Sequence, residues 1–255
     1  MIFKRAVAKL RAQDWLAISI ELAIVVIGVF IGMQVTNWNQ ERLERRAAEH
    51  LLGELRPALH NFVNYFETAK PYYATTGQYA DVAFGGWRGD RAVSDEQFVI
   101  AAYQASQIYV LGLNGDSWTV IFGSERLPNV DDAEVRHELA SLMTLNYPSI
   151  EAELNTDYRE HVRQVIPEDI QTAIRAHCGD QPIPDQPLNV RLPVRCDLNL
   201  PSGRFTQAAA MLRSHGELVG DLRWHQASVA GFLADMGAVE ALTRSLLDRI
   251  ERQNS

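Results

Sequence analysis

The sequence of 255 residues lacks the spacing patterns by which common catalytic, metal-binding and nucleotide-binding sites are recognised. No pair among its seven histidines has a recognised metal-site spacing together with a carboxylate or cysteine ligand. The glycine pairs Gly85-Gly86 and Gly112-x-x-Gly115 lack the strand and the lysine of a phosphate-binding loop. We therefore predict no cofactor and no metal, and we predict that the protein is not an enzyme.

A local basic patch is also missing from the linear sequence, and the excess of charge is acidic. The formal net charge is -8. Residues 1–40 hold four basic and two acidic side chains, so 20 basic and 30 acidic side chains, a net charge of about -10, remain for the rest. A domain of that sign repels phosphate backbones at long range. We expect no nucleic-acid partner.

One stretch near the N-terminus lacks polar residues almost completely. Residues 15–35 carry a single charge over 21 residues, which as a helix span about 30 Å, the thickness of a bilayer's hydrocarbon core. Trp15 and Trp38 are separated by roughly 34 Å along such a helix, which suits one indole at each membrane interface. The stretch predicts a transmembrane helix over residues 15–38, with the lipid bilayer as a partner.

Two other interpretations of this stretch stay open. A cleaved signal peptide shares the basic start and the apolar run, but the exit sequence MQVTNWNQ has no small-x-small cleavage pattern. A buried helix of a soluble protein usually has a shorter apolar run, although the charge of Glu21 favours it.

Orientation is predicted from the basic residues that flank the apolar stretch. Those before it are Lys4, Arg5, Lys9 and Arg11, and those after it are Arg42, Arg45 and Arg46, which stand among acidic residues. A short basic N-terminus is usually kept in the cytoplasm. We predict a single-pass protein of the bacterial inner membrane, with residues 1–14 in the cytoplasm and residues 39–255 in the periplasm.

The chain has only two cysteines, Cys178 and Cys196, and they enclose a stretch rich in proline. Bridging them would remove loop entropy worth roughly 3 kcal/mol, and the periplasm is oxidising enough to form the bond. The alternative is two unrelated buried thiols. His177 adjoins Cys178 and could in principle form a nucleophilic pair, but neighbouring residues rarely point at each other and a disulfide would consume the thiol.

A stripe on the apolar helix suggests contact with another helix. At 100° per residue, Glu21, Gly28 and Gly32 fall on one side of the helix surface. Two glycines at this spacing let backbones approach closely, and a carboxyl on the same side avoids lipid by facing a neighbour. The alternatives are ordinary membrane-helix glycines and a Glu21 side chain that reaches the interface.

Strand-like alternation is nearly absent after the apolar stretch, whereas helical spacing recurs. A seam at alternating spacings of four and three comprises Ala48, Leu52, Leu55, Leu59, Phe62 and Phe66. It packs either on other helices of the same chain, which we favour, or on a second copy. Pro57 lies on the opposite face and predicts a kink.

Further helices are predicted from start signals and apolar spacing. Ser94 to Gln97 forms a capping-box pattern for a helix to about residue 110, and Asp131 to Glu134 forms an acidic start. Helices are also predicted after Pro148, after Pro167 and over residues 205–250, with a proline-rich loop at 178–204. The predicted class is mainly α: one N-terminal transmembrane helix that continues into an extramembrane antiparallel helical bundle.

Two stretches resemble an uncharacterised bacterial family of small single-pass membrane proteins. Residues 26–42, VIGVFIGMQVTNWNQER, are similar to that family's N-terminal VIGVFIG-x-Q-x-x-NWN signature. Residues 117–143 resemble its second recurring stretch, with Gly-Ser-Glu-Arg-Leu in place of the usual small-Gly-x-Leu turn. The resemblance implies a membrane location and a helical domain, and it implies no activity.

These observations favour a membrane-anchored envelope protein that acts as a non-catalytic interaction or scaffold module. Its partners would be an envelope protein or, through the transmembrane helix and the stalk that follows it, a second copy of itself. The alternatives are a periplasmic ligand-sensing helical bundle that acts through a membrane partner, and an enzyme of unrecognised type.

Overall fold

The structure is a computed structural model that describes residues 15–109, 130, 132–144, 152–184 and 186–253. It is 79% helical, so the protein belongs to the mainly α class, as predicted. The helices of the described part are α1 (Trp15–Arg88), α2 (Asp95–Gln104), α3 (Ala133–Met143), α4 (Asp157–Val165), α5 (Glu168–Cys178), α6 (Ser202–Ser214) and α7 (Leu218–Gln253). Two short strands, β1 (Gln181–Ile183) and β2 (Gln186–Arg191), lie between α5 and α6.

Helix α1 is 74 residues long and continues through both Pro57 and Pro71. Both prolines lie on the exposed side of the helix, where water can bond the carbonyl groups that proline leaves without a donor. The helix ends at Gly89, which has a φ of 73°. The amide of Asp90 donates to the carbonyl of Gly85 at 3.0 Å, so the last turn closes in a Schellman motif that favours glycine at position 89.

The chain divides into two compact units. Among the described residues, the first unit comprises α1 as far as Gly53 together with Val130. Its helix is exposed from Ile18 to Leu43, and burial begins at Ala48. The described part of the first unit is therefore mainly one helix, whose N-terminal portion is apolar and exposed.

The second unit holds the described residues from Glu54 onward, apart from Val130, and it contains a continuous apolar core. Leu55, Leu59 and Phe66 from the predicted seam are almost fully buried there by residues of the same chain. From Leu55 onward, the seam therefore packs on residues of the same chain, which is the alternative that we favoured.

The second half of α1 pairs with α7 in antiparallel fashion. Glu67 accepts a bond from Arg244 at 2.6 Å, and Lys70 pairs with Glu240. Further along α1, the ring of Tyr73 lies 5.6 Å from that of Phe232. As the residue number rises on α1 it falls on α7, which defines the opposite helix directions.

The shorter helices pack around this pair. Glu138 of α3 accepts a bond from Ser245 of α7 at 2.9 Å. Thr156, the residue before α4, bonds His225 of α7 at 2.8 Å. Helix α6 contacts the end of α1, because the indole of Trp87 donates to the carbonyl of Leu212 at 3.0 Å. A Cβ on Gly86 would lie 2.0 Å from the ring of Phe98, so α1 and α2 approach each other too closely for any residue but glycine.

Several predicted helix starts are confirmed and several ends are not. Ser94 and Gln97 form the predicted capping box, but α2 ends at Gln104, before the predicted residue 110. The side chain of Asp132 caps α3 by accepting from the amides of Glu134 and Val135. Residues 205–250 are helical apart from a turn at residues 215–217, which separates α6 from α7 and which the apolar spacing did not indicate.

The proline-rich loop is shorter than the predicted 178–204, because α5 includes Cys178 and α6 begins at Ser202. Between these helices lies an antiparallel hairpin that the sequence did not indicate. Gln181 pairs with Arg191, and Pro182 pairs with Val190. Several predictions lie outside the described residues: the cytoplasmic segment 1–14, Asp131, Gly112, Gly115, Pro148 and most of the second family-like stretch, residues 117–129.

Candidate functional site: the apolar helix and its flanks

The first part of α1 presents apolar side chains on every side. Twelve large apolar residues between positions 18 and 35 are 40–64% exposed, namely Ile18, Ile20, Leu22, Ile24, Val25, Val26, Ile27, Val29, Phe30, Ile31, Met33 and Val35. Trp15 and Trp38 flank them and are 68% and 64% exposed. Within the described residues, α1 is the one helix long and apolar enough to cross a membrane, and none of its most apolar window is buried.

Two hydroxyl groups in this stretch are bonded within the helix. The hydroxyl of Ser19 donates to the carbonyl of Trp15 at 2.7 Å, and that of Thr36 donates to the carbonyl of Gly32 at 2.9 Å. No atom outside the helix lies within 4 Å of a Cβ built on Gly28 or Gly32. The predicted packing stripe of Glu21, Gly28 and Gly32 is therefore open in the single chain, and its pairing with another helix stays a prediction.

Just beyond Trp38, three arginines lie on one face of the helix. Trp38, Arg42, Arg45, Arg46 and Glu49 line an open groove of about 260 Å³ on one face. The linear sequence shows no local basic patch because Glu41, Glu44 and Glu49 stand among these arginines. Helical periodicity sets the three arginines on one face with Trp38. A count of residues at spacings of three and four after Trp38 would have found this face.

The structure joins Cys178 and Cys196 in a disulfide, with their Cα atoms 5.5 Å apart. Cys178 ends α5 and is buried, and its carbonyl accepts from the side chain of Gln104 at 2.7 Å. The ring of His177 bonds the carbonyl of Ala173 in its own helix at 3.0 Å. The cysteine and the histidine therefore do not form a nucleophilic pair, and the bond ties the hairpin segment to the helical core.

Three tyrosines on the second half of α1 lie in the core. Tyr72, Tyr73 and Tyr79 are all buried. Their hydroxyls donate to Asp180 at 2.8 Å, to the carbonyl of Tyr109 at 3.3 Å and to the carbonyl of Pro193 at 2.7 Å. These tyrosines serve as core residues that fasten the loops on either side of them to α1.

Sequence reasoning missed the polar groups around Tyr72. Burial raises the pKa of the Asp180 carboxyl, and burial likewise raises the pKa of the Tyr72 hydroxyl. Burial lowers the pKa of the Arg159 guanidinium, which bonds the carbonyl of Ser106 at 2.6 Å. Arg163 lies over the ring of Tyr103 at 4.9 Å. The groups are bonded to one another and to the backbone, so the arrangement fixes the geometry of the core.

His225 of α7 is the most completely buried imidazole of the described residues. Burial, followed by the charge of Arg159, lowers its pKa to about 4, so the ring is neutral at pH 7. By contrast, His161 is exposed, and its bond to Asp221 at 2.8 Å raises its pKa. The two imidazoles therefore respond to acid in opposite directions.

Helix α7 has an exposed face made almost only of small residues. At alternating spacings of four and three, this face comprises Gly220, Trp224, Ala227, Gly231, Ala234, Ala238 and Ala241. Trp224 is 69% exposed, and a Cβ on Gly220 or Gly231 would meet nothing within 4 Å. The sequence search followed the larger apolar residues of this helix and so found its buried side only.

The part of the chain that the structure describes holds no group of three or more histidine, cysteine, aspartate and glutamate side chains able to bind a metal ion. No protein-family model matches the chain, and no curated protein or solved structure is similar to it.

Proposed function

We propose that the protein is a single-pass protein of the bacterial inner membrane that acts as a non-catalytic interaction module in the periplasm. The observation that carries the proposal is the apolar part of α1, which is exposed on all sides. A helix that is apolar all round belongs either in a protein core or in a membrane. Because the described part of the chain buries none of the most apolar window of this stretch, lipid is the environment that removes it from water.

The cost of leaving the stretch in water supports the same proposal. Each Leu, Ile, Phe or Val at the centre of a membrane helix favours insertion by about 0.3–0.6 kcal/mol on the insertion scale. Eleven such side chains stand against the single charge of Glu21, which lies near one end of the stretch. The balance favours insertion.

The disulfide supports a periplasmic location for the helical unit. Disulfides persist in oxidising compartments and are rare in the cytoplasm. The bond between Cys178 and Cys196 lies in the second unit, on the C-terminal side of the apolar stretch. An N-terminus in the cytoplasm and a helical unit in the periplasm satisfy both the disulfide and the basic residues that precede the span.

The exposed face of α7 supports the interaction role. A tryptophan that is 69% exposed among alanines and glycines provides an apolar surface that another helix can approach closely. The polar groups around Tyr72 are bonded to one another and to the backbone, whereas the apolar residues of this face and of the apolar stretch are exposed.

A photo-crosslinking residue placed at Ala234 in the full-length protein tests the interaction role in native membranes. We expect an adduct of defined mass, either with a second copy or with one envelope protein. The same residue at Asp81, an exposed polar position of α1, is the matched control and should give none. Equal yields at the two positions, or no adduct at Ala234, would refute an interaction through α7.

A further inference from the structure

We propose that the groove lined by Trp38, Arg42, Arg45 and Arg46 binds the phosphate of an anionic phospholipid headgroup. The inference rests on the membrane location proposed above. At 100° per residue, these four side chains and Glu49 occupy about 100° of the helix surface. They form one continuous face.

The position of this face along the helix suits a headgroup. Arg42 follows Trp38 by about 6 Å, and Arg46 follows it by about 12 Å. The headgroup layer on each side of a bilayer is about 5–7 Å thick. Side chains of a helix lean toward its N-terminus, so the arginines lean back toward the apolar stretch and reach the phosphate level. Glu49, the one carboxylate among the described residues that line the groove, stands about 16 Å beyond Trp38 and so lies farther from the membrane than each of the three arginines.

Two of the three arginines lack an acidic partner. Neither Arg42 nor Arg46 forms an ion pair within the part of the chain that the structure describes, whereas Arg45 lies 3.7 Å from Glu41 in an exposed pair. Such a surface pair contributes little and is easily exchanged. Guanidinium groups bind phosphate oxygens in a bidentate fork, so three of them around one groove match a phosphate well.

The positive charge of the three arginines favours an anionic lipid over a zwitterionic one. The chain beyond residue 40 has an acidic excess, so the basic face is a local exception. A zwitterionic headgroup carries its own cation beside the phosphate and gains less from three arginines than an anionic headgroup does. The indole of Trp38 supplies an apolar contact at the membrane interface, where the acyl chains join the glycerol.

Native mass spectrometry of the full-length protein in detergent tests the proposal, with equimolar phosphatidylglycerol and phosphatidylcholine of identical acyl chains as probes. We expect about a tenfold preference for phosphatidylglycerol adducts in the unchanged protein, from the contribution of arginines near a charged surface. The double variant Arg42→Gln with Arg46→Gln should lose the preference. The control Arg91→Gln with Arg252→Gln removes the same charge at exposed positions elsewhere and should keep it.

Two further arms separate the possible failures. About a tenfold molar excess of inorganic phosphate over lipid should leave the adducts in place. Displacement of the lipid would mean that the groove takes free phosphate. Alkaline carbonate extraction of the same variants reports membrane integration independently. Extraction of the unchanged protein would refute the membrane location. Retention without lipid preference, or a preference that survives in R42Q/R46Q, would refute the headgroup site alone.

Discussion

The two halves of α1 contain the same kinds of apolar residue in opposite surroundings. Leu22 is 64% exposed in the first half, and Leu59 is 0% exposed in the second. The difference follows from the pattern around each residue. Around Leu22 the apolar residues cover every side of the helix, whereas Leu59 belongs to a seam whose opposite side carries His60, Asn61 and Asn64. Apolar content therefore does not decide burial, and the angular distribution does.

Placing charge on the two halves should give the largest contrast. Val26→Arg with Val29→Arg puts two arginines within the apolar stretch, at a cost of about 5–7 kcal/mol for insertion. Asn61→Arg with Asn64→Arg adds the same charge at the same spacing on the exposed side of the second half. Alkaline carbonate extraction should release the first variant and retain the second. Equal retention of the two would contradict the assignment of residues 15–38 to the membrane.

Truncating a leucine in each half should sharpen the comparison. Leu59→Ala leaves a cavity in the core and should lower the free energy of unfolding by about 2–5 kcal/mol. Leu22→Ala removes the same atoms from an exposed position and should leave the unfolding of the helical unit unchanged. Thermal unfolding of the full-length protein in detergent, followed by circular dichroism, measures both. A similar fall in Tm for the two variants would mean that the halves are packed alike.

Removing the disulfide should affect the second unit only. Cys178→Ser with Cys196→Ser restores the entropy of an open loop to the unfolded chain, a loss of about 3 kcal/mol. The same thermal unfolding experiment detects it, and membrane retention should not change. Reductant should lower the Tm of the unchanged protein and leave that of the double variant constant. An equal effect of reductant on both proteins would show that the bond does not account for the loss.

The smallest predicted effect is a pH dependence in the second unit. Because the pKa of His225 is lowered to about 4 on folding, acid favours the unfolded state. The contribution of His225 to the free energy of unfolding is present above the ordinary pKa of histidine. It is lost as pH falls toward 4, by about 2 kcal/mol between pH 7 and pH 5. His225→Gln should flatten this loss in Tm measured against pH.

His161 provides the control of opposite sign. Its pKa is raised by the bond to Asp221, so its contribution is present at low pH and is lost as pH rises through the raised value. His161→Gln should therefore make the loss of stability in acid steeper. If both variants change the profile in the same direction, the assignment of the two imidazoles is wrong.

Much of the fold could be predicted because its signals are local. The apolar stretch, the seam from Leu55 onward and the capping box at Ser94 depend on neighbours a few residues away. The end of α2 and the break between α6 and α7 depend on tertiary packing and a short turn, which local spacing does not encode. The face of α1 with Arg42, Arg45 and Arg46 and the small-residue face of α7 could not be predicted for another reason. Their residues are ordinary surface residues one by one, and they form a surface only because helical periodicity places them together.

Accessibility of single cysteines along α1 tests the central claim most directly. Both native cysteines are in the disulfide, so a new cysteine is the one reactive thiol of the described chain. Leu22, Val26 and Val29 are as exposed in the single chain as Asn61 and Asn64 are. In intact membranes, a membrane-impermeant maleimide should label cysteines at 61 and 64 and spare those at 22, 26 and 29 until the protein is denatured. Equal labelling at all five positions would show that the apolar stretch is in water and would contradict the account.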